Sequence, residues 1–274
     1  MKKIGFRESR KRIVHIIRLF FFKIIKLFYP DLKYLALFLN NKINGKFKYI
    51  NKHFLFFPNN KGFNRLFIDA SYSFSELCEY SKKFPSDKSP YNNFFYRHPY
   101  TPIYSFIFAP FKYQSIYFAE IGIFNNDSVN VWRNYFKKAN IYGFEFNDLF
   151  LKNAKKQNLR NVFYSKINVK ESSSINEAFK NTKEKFNIII DDSTHEFEDQ
   201  IRVIKNVYRY LLPGGILIIE DIPNKVDSFS EERFFKEIGD LRNKFHLINF
   251  IDCNHLNKYS RLDDSKMLYM VFKG

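Results

Sequence analysis

The chain has 274 residues and a formal net charge of +17, long enough for one large α/β domain with an N-terminal extension. Its two cysteines, Cys78 and Cys253, form no CxxC pair and no zinc spacing, which excludes a zinc ribbon and leaves a reduced cytosolic setting as the default. The charge is lopsided: residues 1–60 hold 14 Lys and Arg against 2 acids, so +12 of the +17 sits there.

Such a basic segment raises nucleic acid or an anionic membrane as a partner. A bland reading competes, because an AT-rich genome would encode this abundance of Lys, Asn, Ile, Phe and Tyr. Arg12 to Pro30 is apolar but interrupted by His15, Arg18, Lys23 and Lys26. A membrane-spanning helix would bury those charges at high cost. A helix lying in an anionic membrane interface and a helix docked on the domain or on a second subunit fit equally well. No small-residue cleavage site follows the stretch, so no signal peptide is expected. The protein is expected in the cytoplasm, at the inner face of a bacterial membrane if residues 1–40 bind lipid.

Residues 41–85 mix aromatic runs, Phe47 to Ile50 and Phe54 to Phe57, with Asn and Gly breaks, which predicts a hairpin or an irregular cap. A short helix is predicted within Asp69 to Lys83. The division expected is a basic extension over 1–83 and a second domain over 84–274.

From about residue 86 the pattern is regular. Strands are predicted at Ile116–Ile121, Ile141–Glu145, Val162–Tyr164, Phe186–Asp191, Leu212–Asp221, Phe245–Ile251 and Met267–Phe272. Helices are predicted at Asp127–Lys138 with an Asp cap, Asp148–Gln157, Ser173–Asn181 with a Ser cap, Glu196–Leu212 and Glu231–Lys244. The alternation predicts a doubly wound, mostly parallel α/β sheet of seven strands. No helix separates the last two strands, so the final one is expected to run antiparallel.

The chemistry concentrates at two strand tips. Phe186 to His195 ends in Asp191-Asp192-Ser-Thr-His195, and Leu212 to Asp221 ends in Glu220-Asp221. A βαβ unit brings both tips to one edge of the sheet, where open α/β sheets bind ligands. Carboxylates that close repel one another unless protons or a cation intervene, and Mg²⁺ is the economical answer. Asp191 divides evenly between this cluster and capping the next helix. His195, three residues beyond Asp192, is near enough to take a proton. Earlier, Glu120-Ile-Gly122 ends one strand and Glu145 the next. A glycine turn followed about twenty residues later by an acid suits a nucleoside ribose. No GxGxxG is present, so a ligand without pyrophosphate fits better than NAD.

These segments, together with Ser128…Trp132-Arg133, Leu212-Pro-Gly-Gly215, Ser86-Asp-Lys88 and His98-Pro-Tyr-Thr-Pro-Ile-Tyr104, resemble class I S-adenosylmethionine-dependent methyltransferases. More narrowly, they resemble the metal-dependent sugar O-methyltransferases typified by the macrocin and mycinamicin enzymes. The resemblance covers roughly residues 84–274. It implies Mg²⁺ or Mn²⁺ held by Asp192, Glu220 and Asp221, and His195 as general base, with Asp191 the nearest substitute. It also implies S-adenosylmethionine bound through Glu120, Gly122, Glu145, Asn168 and Asp191. The acceptor implied is a sugar or nucleotide sugar of a polysaccharide, a capsule or a natural product; a homo-oligomer is compatible. The chain departs from the family at Phe124-Asn-Asn126, where a glycine-rich turn is usual, and at Lys166-Ile-Asn168. Two alternatives stay open: an RNA methyltransferase using the basic arm, which lacks support from any Asn-Pro-Pro-Tyr-type motif, and a non-catalytic or hydroxylase-like relative.

Overall fold

The computed structural model describes residues 48–51, 54–57, 63–92, 96–224, 229–260 and 262–274. The helix expected over residues 1–40 lies outside the described residues. Ten strands form one sheet: β1 (Lys48–Asn51), β2 (Phe54–Phe57), β3 (Asn64–Asp69), β4 (Tyr117–Ile121), β5 (Asn140–Glu145), β6 (Val162–Lys166), β7 (Phe186–Asp191), β8 (Leu211–Ile219), β9 (Phe245–Asn254) and β10 (Lys266–Phe272). Seven helices are described: α1 (Glu76–Lys83), α2 (Tyr100–Phe108), α3 (Asp127–Tyr135), α4 (Asp148–Lys156), α5 (Ser172–Thr182), α6 (Phe197–Val207) and α7 (Glu231–Ile238).

The spatial order is β1-β2-β3-β9-β10-β8-β7-β4-β5-β6. Strands β8, β7, β4, β5 and β6 run parallel, and β10 runs antiparallel to both β8 and β9. The seven strands β4–β10 are those expected from the sequence. The sheet is larger because β1 and β2 pair antiparallel as the expected hairpin, and β3 joins β9 in parallel. The segment expected as a separate extension therefore shares the sheet.

The strands alternate their side chains between two cores. Ile188, Ile190, Ile216 and Ile218 pack into one, with Tyr104, Phe118 and Trp132; Ile189, Leu217 and Ile219 enter the other, with Phe144, Phe179 and Phe234. Apolar side chains on both faces are what a covered parallel sheet requires. Trp132 is a core residue.

Two expected caps are corrected. Helix α3 starts after Asn126, a left-handed residue at φ 72° that makes no side-chain cap bond; Asp127 lies inside the first turn. Helix α5 is preceded by Glu171, and no Ser caps it; Ser174 instead accepts the Asn168 backbone N–H at 2.9 Å. Real caps occur at Ser75, Asn147 and Ser230.

The chain passes from β4 outward to β5 and β6, then returns to lay β7 on the other side of β4. That reversal opens a crevice beyond the carboxyl ends of β4 and β7, the usual ligand position in such sheets.

Candidate active site

A cavity of about 730 Å³ fills this crevice. Its floor is the turn at Gly122. The backbone there has φ +84°, and a Cβ at that position would lie 2.1 Å from the Asp192 carbonyl oxygen. Only glycine lets the exits of β4 and β7 pass so closely. Gly122 lines the cavity, as do Glu145 and Asn168. The Glu145 carboxylate accepts the Phe124 N–H at 3.0 Å and the Asn147 N–H at 2.8 Å, so it is held at the strand tip by backbone. Asn168 accepts from the Lys170 N–H at 3.1 Å and donates to Glu171 at 2.7 Å.

The turn without glycines turns left-handed nonetheless, at Phe124 (φ 43°) and Asn126 (φ 72°). Asn126 carries it through hydrogen bonds to Gln157 and Tyr164, both at 2.8 Å. Phe124 packs edge-on against Phe150 with ring centroids 4.6 Å apart, and these two with Phe146 form an apolar wall of the cavity.

Two expected cofactor contacts do not reach the cavity. Glu120 is fully buried behind it and accepts Ser128 Oγ at 2.8 Å and Trp132 Nε1 at 3.0 Å. Burial raises its pKa to about 7, against the Lys88 charge. Asp191 is also buried and accepts from Ser193 Oγ at 2.7 Å; burial raises it to about 7. Adjacent strand residues face opposite ways, so Asp192 enters the crevice and Asp191 turns into the protein. Asp191 neither lines the cavity nor caps α6, whose N-cap is Glu196.

Beside the cavity the acids gather as the sequence predicts. Asp192, His195 and Asp221 each offer a ligand atom within 4.8 Å of the others. Glu220 sits next to them but is occupied: its Oε2 accepts from Lys88 and its Oε1 from the Tyr104 hydroxyl. The Lys88 ammonium also bonds Asp192 Oδ2 and lies 3.4 Å from Glu120 Oε1. Asp221 Oδ1 accepts from the Tyr100 hydroxyl at 2.7 Å, and His98 Nδ1 stands 3.5 Å away. Burial disfavours the Asp192 anion, but the Lys88 charge and the His195 hydrogen bond outweigh it and hold the carboxyl well below the ordinary range.

His195 Nε2 is 3.0 Å from Asp192 Oδ1, and Nδ1 is 3.7 Å from Asp221 Oδ2. Burial opposes its charge, yet Asp221 and then Asp192 push its pKa up to about 10. The residue also adopts φ 56°, a left-handed backbone, as does Asp221 at φ 54°. Two non-glycine residues in that region within one cluster cost on the order of 1–3 kcal/mol each.

Lys88, Tyr100 and Tyr104 received no role from the sequence. Their segments, Ser86-Asp-Lys88 and His98 to Tyr104, stand out in it, but a lysine and tyrosines among prolines do not say what they face. Helix α2 delivers both phenols beneath the acids, and the loop before it delivers Lys88.

A family model described as a methyltransferase domain matches residues 126–270. The chain is 24% identical over 132 residues to the 8-demethyl-8-alpha-L-rhamnosyl tetracenomycin-C 2'-O-methyltransferase of Streptomyces olivaceus, across 46% of this chain and 33% of that protein. Among solved structures it resembles the MycE methyltransferase from the mycinamycin biosynthetic pathway in complex with Mg, SAH and mycinamycin VI: TM-score 0.55, 17% identity, 73% of this chain and 55% of that one. Another structure of that protein, in complex with Mg and SAH, matches at TM-score 0.55 and 16% identity, over 73% and 55%. The chain thus spans about a third of the curated relative and about half of these structures.

Proposed function

Since the chain belongs to the methyltransferase-domain family, we propose that it moves the methyl group of S-adenosylmethionine to a saccharide hydroxyl beside a divalent ion. The observation that carries this reading is the adjacency of two sites. A cavity with Gly122 and Glu145 at its strand tips is suited to a nucleoside, and Asp192 and His195 line that same cavity. The relatives support the acceptor class, one being a 2'-O-methyltransferase of a rhamnosyl compound.

The residues fit a hard divalent ion. At full ionisation Glu120, Asp192, Glu220 and Asp221 carry four negative charges against the two positive charges of Lys88 and a protonated His195, an excess of two, with the His98 imidazole 3.5 Å from Asp221. Carboxylate oxygens are the donors Mg²⁺ and Mn²⁺ take. Asp192 and Asp221 would hold the ion, with Glu220 joining once Lys88 releases it. Bound there, such an ion supplies a Lewis acid that lowers the pKa of an acceptor hydroxyl.

The chain's own residues do the rest. Glu145 orients the ribose, and the aromatic wall excludes water. His195, 3.0 Å from Asp192 and 3.7 Å from Asp221, would take the hydroxyl proton at Nε2 in its neutral form. The acceptor oxygen then takes the methyl carbon as the C–S bond breaks, and the electron pair leaves with sulfur as S-adenosylhomocysteine. Holding donor and acceptor in line is the main contribution. Residues 1–40 are read as an arm for location or assembly at an anionic surface, and the acceptor as a nucleotide sugar or a surface-polysaccharide or natural-product saccharide.

The test is transfer of labelled methyl from S-adenosylmethionine to a panel of nucleotide sugars, with EDTA and after Mn²⁺ is restored. Transfer that EDTA abolishes and Mn²⁺ recovers is expected. Full transfer in metal-stripped protein would sink the metal reading, and tight NAD binding without S-adenosylmethionine binding would sink the whole.

A further inference from the structure

The least expected group in the site is Lys88. It is 2% exposed, and its ammonium meets three carboxylates: Asp192, Glu220 and Glu120. Of the three N–H donors of an ammonium, two are given to Asp192 and Glu220, and Glu120 Oε1 stands 3.4 Å away as an ion-pair neighbour. The loop that carries it is fixed. The Lys88 carbonyl accepts the backbone N–H groups of Tyr100 and Thr101, both at 3.0 Å, at the start of α2. The same helix sends Tyr100 to Asp221 and Tyr104 to Glu220, so the loop and helix together contact four acids, Glu120, Asp192, Glu220 and Asp221.

We propose that Lys88 is a built-in counter-ion: it keeps the acid cluster assembled in the metal-free protein and sets divalent-ion affinity by competing for Asp192 and Glu220. This rests on the metal reading above. A buried lysine among apolar neighbours would be costly, but here it offsets the mutual repulsion of acids that are themselves buried. It also fills the oxygens an ion would use. Asp192 Oδ2 and Glu220 Oε2 both accept from Lys88, and Asp192 Oδ1 is taken by His195. An arriving ion must therefore displace the ammonium from at least one acid, or bind through fewer oxygens. Either way a positive charge remains beside it and weakens its hold. Lys88 acts through the acids and is a positioning residue.

The experiment is calorimetric titration of the full chain with Mn²⁺ alone, with no acceptor or turnover. For Lys88→Met, binding tighter than wild type by about tenfold or more is expected, because the competing charge is gone. The metal-free variant should also melt below wild type, and saturating Mn²⁺ should narrow the gap. Lys88→Arg keeps the charge and should restore both properties towards wild type. If Lys88→Met does not fold, Lys88→Gln, whose amide still donates to the acids, carries the same expectation. Mn²⁺ binding that is unchanged or weaker in the uncharged variant overturns the proposal while leaving the metal site standing. If wild type takes up no Mn²⁺ at all, the metal reading fails, and this proposal with it.

Discussion

Gly122 shows how one residue sets the distance between the two halves of the site. Its φ of +84° and the 2.1 Å approach of a hypothetical Cβ to the Asp192 carbonyl leave no room for any side chain. Gly122→Ala combines a strained left-handed backbone, about 1–2 kcal/mol, with overpacking against backbone, about 1–3 kcal/mol. Urea unfolding should therefore show a loss of about 2–5 kcal/mol, and cofactor binding should fall with it; an unchanged midpoint would mean that the two strand exits separate freely. His195 makes a second prediction at this scale. Its folded pKa of about 10 lies above the ordinary 6.5, so the folded metal-free chain binds this proton more tightly than the unfolded one. The resulting stability is fully present below about pH 6.5 and is lost as pH rises through about 10. His195→Gln should flatten the fall in urea midpoint between about pH 7.5 and 10, and should cut turnover by about 10²–10⁴-fold while Mn²⁺ still binds. If Mn²⁺ binding disappears instead, His195 is a ligand, as its place with Asp192 and Asp221 also allows.

At the scale of elements, the edge between β3 and β9 decides what can be removed. Strand β3 pairs with β9 from Asn64 to Asp69, and Arg65 bonds Glu231 at the start of α7 at 2.9 Å. Leu66, Leu77 and Cys78 are buried, two of them on α1, which also packs on α3. A chain beginning at Lys82 would strip β9 of its neighbour and open that core. It should aggregate or lose its cooperative melt, because an unpaired, buried strand edge recruits other chains. A chain beginning at Lys48 should melt near the full-length temperature. If the shorter chain melts like the longer one, β3 contributes nothing to stability.

Along the sequence, charge and chemistry are segregated: the basic excess lies in residues 1–60, and Asp192, His195 and Asp221 lie far downstream. Among the described residues no helix is long and apolar enough to cross a membrane. If the first segment serves location, a chain lacking residues 1–47 should keep S-adenosylmethionine affinity within about twofold and lose salt-sensitive binding to anionic vesicles. Vesicle binding that survives the deletion refutes the arm, and salt-sensitive RNA binding by the full chain would favour the RNA alternative.

The sequence by itself determined the elements and the address of the site. Continuous Ile and Leu runs ending in acids specify buried parallel strands, and the βαβ rule puts their tips together, so Asp192, His195, Glu220 and Asp221 could be named in advance. Gly122 and Glu145 were legible for the same reason, since strand tips are marked by where apolar runs stop. The tertiary structure alone decided orientation and partners. Which of two adjacent acids faces the crevice depends on the pleat, which sent Asp192 in and Asp191 back to Ser193. Glu120 was drawn inward by Trp132 and Ser128, eight or more residues along the chain. Lys88 lies 104 residues before Asp192 and 132 before Glu220, so no local pattern could announce that it would neutralise them. Local periodicity records what a residue does to its own strand or helix; pairings across such distances exist only once the sheet has closed.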